Sequence, residues 1–267
     1  MAAAQSSSNT RIALVTGAGQ GIGEAIALRL AKDGLDVAVN DIAANQEKLS
    51  AVSGKIAAMG RKSSVHIADV SVEDQVKKLI ENVVQKHGGI DVMVANAGIV
   101  IVKPLMDTEV EEWDKIFSIN ARGVFLCYKY AGKQMIAQGR GGRILAASSL
   151  AGKMGSFVNY GAYSGTKFAV RAITQAAAAE LGRHGITVNA YAPGVIESPM
   201  TQYMDQATQK LDGAAPGQVF DEFAKRTLVG YNGTSDDVAG LVSYLASNEA
   251  RFITGQTVSI NGGIFCD

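Results

Sequence analysis

Tyr163 and Lys167 stand four residues apart at the head of a small-residue run that reads as a helix to about Leu181. On a helix that spacing puts a phenol and an ammonium one turn apart on the same face. A phenol beside a cation can give up and take back a proton, so the pair is a candidate acid/base unit. A surface Tyr and Lys at this spacing ordinarily just cover a helix face. The elements around them must therefore decide.

Reading from the amino terminus, the apolar run Ile12 to Val15 stops at Thr16-Gly17-Ala18-Gly19-Gln20-Gly21-Ile22-Gly23, and helical periodicity follows from Glu24 to Lys32. Strand, glycine loop and helix in that order suit a pyrophosphate, because the helix start offers free N–H groups and glycines allow close approach. Gly17, Gln20, Gly21, Ile22 and Gly23 are the candidate contacts. A second strand over Asp36 to Asn40 ends at Asp41, about twenty residues past the loop, where a carboxylate can accept both ribose hydroxyls. Asp41 would repel a 2′-phosphate, and Ile42 and Gln20 occupy positions where Arg or Lys would welcome one, which favours NAD(H).

Further along, a strand at Ser63 to Ala68 leads to Asp69 and Val70, where Asp69 can cap a helix starting near Val72. The fourth strand, Ile90 to Val94, precedes Asn96-Ala97-Gly98. Asn96 can tie neighbouring strands through its amide, and the small residues let a ribose approach. Asn120 sits inside the helical stretch Thr108 to Met135, a poor place for Asn, and suggests a local kink held by a water. Ser148 and Ser149 stand at the carboxyl end of the fifth strand, Arg143 to Ala147, where ligands of open α/β sheets bind. After the sixth strand, Ile186 to Tyr191, the turn Pro193-Gly194-Val195-Ile196-Glu197-Ser198 can offer backbone groups and the Ser198 hydroxyl to a nicotinamide, with Pro193, Gly194, Ile196 and Ser198 as contacts. A less regular segment, about 199–231, reads as a lid with a short amphipathic run Phe220 to Leu228. A helix over Asp236 to Ala246 and a strand over Thr257 to Ile260 close the chain.

The alternation of strands and helices predicts one doubly wound α/β domain over 11–267, a parallel sheet of about seven strands with helices on both faces. The 267 residues carry 25 basic and 25 acidic side chains, so no charge surplus points to nucleic acid or a membrane surface. Residues 1–10 read as a disordered tail without signal-peptide character, and no stretch approaches a bilayer span. Two cysteines, Cys127 and Cys266, show no metal spacing and read as free thiols in a cytoplasmic protein, and no metal site is expected.

In order and at fitting intervals, T-G-x-x-x-G-I-G at Thr16 to Gly23, N-A-G at Asn96 to Gly98, Asn120, Ser149, Y-x-x-x-K at Tyr163 and Lys167, and P-G at Pro193 and Gly194 resemble a Rossmann-like short-chain dehydrogenase/reductase. The resemblance covers Arg11 to Gly263. Within that family the stretches from Tyr163 to Arg171, Gly185 to Gly194 and Phe223 to Arg226 look similar to diacetyl/acetoin reductases, also called 2,3-butanediol dehydrogenases. This implies reversible NAD(H)-dependent reduction of a small ketone or diketone to a secondary alcohol. Tyr163 would handle the proton, Lys167 would lower its pKa and bind the nicotinamide ribose, Ser149 would hold the carbonyl, and Asn120 with a water would complete a relay. Asp69 would flank the adenine, and the assembly would be a homotetramer. One departure stands out: the family's serine lies thirteen residues before the tyrosine, where this chain has Leu150, and Ser149 lies fourteen before. An extra residue in the Lys153 to Ala162 loop would keep Ser149 in role and alter the substrate wall around Ser156, Phe157 and Asn159. A bulkier secondary alcohol, such as a terpenoid, sugar or aryl carbinol, is the alternative substrate, and a non-enzymatic dinucleotide-binding protein is the remote alternative function.

Overall fold

Seven short runs rich in small and β-branched residues form strands, and those at the centre are almost entirely apolar because helices cover both of their faces. In the computed structural model, which describes residues 10–266, the strands are β1 (Ile12–Thr16), β2 (Asp36–Asp41), β3 (Ser63–Ile67), β4 (Val92–Ala95), β5 (Gly142–Ala147), β6 (Ile186–Pro193) and β7 (Thr257–Ile260). All pairs are parallel, in the order β3-β2-β1-β4-β5-β6-β7. The helices are α1 (Gly21–Lys32), α2 (Gln46–Ala58), α3 (Glu73–His87), α4 (Val110–Phe117), α5 (Gly123–Gln138), α6 (Gly161–Leu181), α7 (Pro199–Asp212), α8 (Gln218–Arg226) and α9 (Ser235–Ala246). The doubly wound sheet read from the sequence is thus borne out. The expected tail lies outside the described residues, apart from Thr10.

Alternation along the central strand divides two cores. Ile12 and Leu14 of β1 face a layer with residues of α3, α5 and α6, whereas Ala13 and Val15 face one with residues of α1, α2 and α9. The order reverses between β1 and β4, and there the chain's two directions of winding leave a crevice at the strand ends.

Two local departures position the site. A turn of π-helix, Ser118–Arg122, joins α4 to α5, and Asn120 within it is fully buried. The distortion is held by direct bonds, because the Asn120 amide donates to Ile99 O (2.8 Å) and Thr166 Oγ1 (3.2 Å) and accepts from Ile99 N (2.9 Å). The segment read as irregular from Met200 begins instead with the fourteen residues of α7. Its start follows from a capping box, in which Ser198 Oγ accepts from Thr201 N with Pro199 at the first helical position, an arrangement worth about 1 kcal/mol. Met200, Met204 and Ala207 at helical spacing turn its apolar face onto a third cluster that includes Val100, Ile116 and Tyr163. Asp205 ties α7 to the start of α8 by accepting from Gly217 N (3.0 Å). The two ends of this segment meet, since Ile196 bridges Gly233 and Glu197 N donates to Gly233 O (3.0 Å).

Candidate active site

A cavity of about 600 Å³ lies over the carboxyl ends of the strands. Every residue read as a dinucleotide contact lines it, from Gly17, Gln20, Gly21, Ile22 and Gly23, through Asp41, Ile42, Asp69, Val70, Asn96, Ala97 and Gly98, to Pro193, Gly194, Ile196 and Ser198. Tyr163, Lys167 and Ser149 line it as well, and Asn120 does not.

The glycine loop is clamped to the turn after β4. Thr16 Oγ1 accepts from Asn96 N (3.0 Å) and Ala97 N (3.1 Å), and Asn96 Nδ2 donates to Thr16 O (3.1 Å) and Gly17 O (3.3 Å). Tyr191 completes the tie by donating to Asn96 Oδ1 (3.0 Å). A Cβ on Gly23 would lie 2.1 Å from Gly17 O and 2.6 Å from Asn96 Nδ2, so no side chain fits there. The N-terminus of α1 opens into the cavity at Gln20 and Gly21 without a side-chain cap. Uncapped N–H groups, a positive dipole end and glycines without bulk form a donor set that fits a dinucleotide's pyrophosphate.

Asp41, largely buried, accepts from Gly19 N (3.0 Å), Ile42 N (2.8 Å) and Asn45 Nδ2 (3.0 Å), so it also fixes the glycine loop. Lys48 of α2 donates to Gln20 Oε1 (2.6 Å). This cation lies neither beside the strand nor within the loop but arrives from the next helix, where spacing around the loop does not reveal it. Asp69 does not cap α3, contrary to the sequence reading; its carboxylate accepts from Ser71 N (2.8 Å) and Ser71 Oγ (2.7 Å), and α3 starts after Val72 without a side-chain cap.

At the other end the turn after β5 packs tightly onto α6. Ser148 Oγ donates to Lys167 O (3.1 Å), and a Cβ on Gly152 would lie 2.6 Å from that same carbonyl. Ser149, in extended backbone, accepts from Ala151 N (3.1 Å), and its hydroxyl is hydrogen-bonded to the Tyr163 phenol. Ser149, rather than Leu150, therefore faces the tyrosine despite the longer spacing. The loop between them contains Asn159 at φ 67°, the one positive-φ residue other than glycine among the described residues. Of the expected wall, Phe157 lines the cavity but Ser156 and Asn159 do not, because Asn159 Nδ2 donates to Asp212 Oδ2 (3.4 Å) on α7. Tyr160, Met200, Met204 and Phe223 line it instead. The capping box before α7 was the signal that would have found the two methionines.

Lys167 is buried, donates from Nζ to Ala147 O (2.9 Å), and lies 5.5 Å from the centre of the Tyr163 ring. Burial lowers its pKa to about 8. Tyr163 is pushed up to about 12 by burial, with the Ser149 hydrogen bond pulling it down and the Tyr160 phenol raising it further. This corrects the expectation that Lys167 draws the phenol toward neutrality: the ammonium is spent on a backbone carbonyl and lies against the ring, so desolvation dominates. Gly98 sits between Lys167 and Asn120, since a Cβ there would lie 3.2 Å from Asn120 Oδ1 and 3.5 Å from Lys167 Nζ.

No group of three or more His, Cys, Asp or Glu among the described residues could hold a metal, and no helix among them is long and apolar enough to cross a membrane. The family model described as Enoyl-(Acyl carrier protein) reductase matches residues 17–264. A short-chain dehydrogenase/reductase of Armillaria gallica is 50% identical over 99% of this chain and 100% of its own length. The L-2,3-butanediol dehydrogenase of Corynebacterium glutamicum is 39% identical over 96% of this chain and 98% of its own. Among solved structures, acetoin dehydrogenase YohF from Salmonella typhimurium superposes with a TM-score of 0.83 at 30% identity, covering 96% of this chain and 97% of that one. With a seven-stranded doubly wound sheet, a glycine loop at its switch point and this full-length likeness, the chain belongs to the short-chain dehydrogenase/reductase family, oxidoreductases acting on CH–OH groups.

Proposed function

We propose that the protein reversibly interconverts a ketone and a secondary alcohol with NAD(H). The observation that carries this reading is the hydrogen-bonded Ser149–Tyr163 pair, with Lys167 beside it, in the same cavity as the uncapped start of α1. The dinucleotide would be held by Gly17 to Gly23, by Asp41 at its adenosine ribose, and by Pro193 to Ser198 at its nicotinamide. When bound it supplies or accepts hydride at the carbinol carbon. Ser149 and Tyr163 both hydrogen-bond the carbonyl oxygen, and Tyr163 gives it a proton in reduction. A phenol pushed up to about 12 holds that proton at neutral pH, which suits the reducing direction. Lys167 fixes Tyr163 and the nicotinamide ribose, and Asn120 is a positioning residue that braces Ile99 and Thr166 beneath them.

The reading of NAD(H) rather than NADP(H) is supported by the Asp41 carboxylate lining the cavity, where it would repel a 2′-phosphate, and by Lys48 being engaged by Gln20. Likeness to an L-2,3-butanediol dehydrogenase supports a small diketone or hydroxyketone as substrate. Apolar Phe157, Met200, Met204 and Phe223 at the cavity's other end favour a bulkier alcohol. The segment 199–231 acts as the lid. A cytoplasmic homotetramer completes the proposal, and a monomeric mass in light scattering would refute the assembly. Tyr163→Phe should lower kcat by about 10³-fold and leave the NADH Kd within about threefold; substantial residual turnover would overturn the assignment.

A further inference from the structure

Polar atoms are scarce where the lid meets the Ser149–Tyr163 loop, and all but two of the hydroxyls lining that end are spent inside the protein. Tyr160 is hydrogen-bonded to Thr208 of α7, whose own hydroxyl donates to Met204 O (2.9 Å). Thr201 donates to Ile196 O (2.7 Å), and Ser198 Oγ accepts from Thr201 N (3.3 Å) as the cap of α7 and shares a hydrogen bond with Thr201 Oγ1 (3.1 Å). Only Ser149 and Tyr163 remain for a substrate, and a single carbonyl oxygen occupies both. Loop and lid together contribute no charged side chain to the cavity lining. What they contribute is apolar: Leu150, Phe157, Met200, Met204 and Phe223, with the Phe157 and Phe223 rings 6.2 Å apart where loop and lid touch. Methionine is an adaptable filler of irregular apolar space, so two of them on one helix face suit a bulky hydrocarbon surface.

We propose that this end of the cavity selects a ketone or carbinol flanked by a bulky, purely hydrocarbon group over a small diketone or hydroxyketone, and that Phe157, Met200, Met204 and Phe223 determine that choice. The inference rests on the oxidoreductase reading above. A diketone would bury its second oxygen among these side chains with no donor to meet it, a loss of roughly 10- to 100-fold in kcat/KM. A cyclic or branched hydrocarbon flank buries apolar surface there instead.

The test is NADH-dependent reduction by the purified full-length enzyme of cyclohexanone, menthone and trans-1-decalone against 2,3-butanedione and acetoin. The expected result is a kcat/KM at least about tenfold higher for the best hydrocarbon ketone than for either small oxygenated one. In Met204→Gln, nearly equal in volume but with an amide, kcat/KM for that ketone should fall about tenfold while that for 2,3-butanedione holds or rises. Preference of the unaltered enzyme for butanedione or acetoin would overturn this inference and leave the reaction assignment standing. So would an equal fall for both ketones in the variant. Failure to reduce any ketone with either NADH or NADPH would overturn both.

Discussion

The two ends of the cavity are built from different materials. Around the glycine loop the walls are backbone: a Cβ on Gly23 meets Gly17 O at 2.1 Å, and one on Gly17 meets Ala97 Cα at 2.8 Å. Around Tyr163 the far wall is side chains, with Phe157, Met200, Met204 and Phe223 all only partly buried. A wall of backbone tolerates almost no substitution, because any added atom displaces the sheet ends themselves. A wall of half-buried side chains can be repainted with the sheet undisturbed. On the proposed reading, nucleotide binding and substrate choice are thus carried by separable parts of one site.

Substitutions at each end sharpen or break that contrast. The largest effect belongs to Gly23→Ala, which should weaken NADH binding by roughly 100-fold or more, measured by fluorescence titration; unchanged binding would mean the loop is more yielding than its contacts imply. Next comes Lys167→Met, which probes the cost of placing a cation at the reaction end. Its folded pKa of about 8 lies below the ordinary 10.5, so between those values the unfolded chain holds the proton that the folded chain has lost. Stability contributed by this group therefore rises with pH across that window, by about 3 kcal/mol at most, and is missing below it. Urea midpoints at pH 7 and pH 10 should show that rise in the unaltered protein and a smaller one in the variant. Asp41→Ala should shift the NADPH-to-NADH ratio of kcat/KM toward NADPH by about tenfold. The smallest effect is Tyr160→Phe, which keeps the ring but frees α7 from the loop; KM for the ketone should rise about threefold with kcat little changed, and Thr208→Val should add nothing to it in the double variant.

What could be read from the sequence follows the same division. The strands declared themselves because parallel strands buried on both faces are unbroken apolar runs, and the glycine loop because its spacing is a backbone requirement. Tyr163 and Lys167 were legible as a pair because helix periodicity alone brings them together. The direction of the Tyr163 pKa was not, since it depends on how much water reaches the phenol and on Lys167 finding the Ala147 carbonyl. Lys48 beside Gln20 and Asn159 beside Asp212 were hidden for a related reason, being contacts between segments far apart in the chain. Helix α7 escaped because its composition is mostly polar, although Ser198, Pro199 and Thr201 spelled out its start.

The meeting of Ile196 with Gly233 closes the segment 199–231 into a loop whose two stems lie side by side beyond the carboxyl end of β6. Closure entropy grows only slowly with length, so chain can be added or removed between those stems at small cost to the rest. The stretch 199–231 between them is therefore a cassette. On the proposed reading, grafting a different one onto the same stems would redirect the enzyme to new alcohols while Tyr163, Lys167 and the glycine loop stayed where they are.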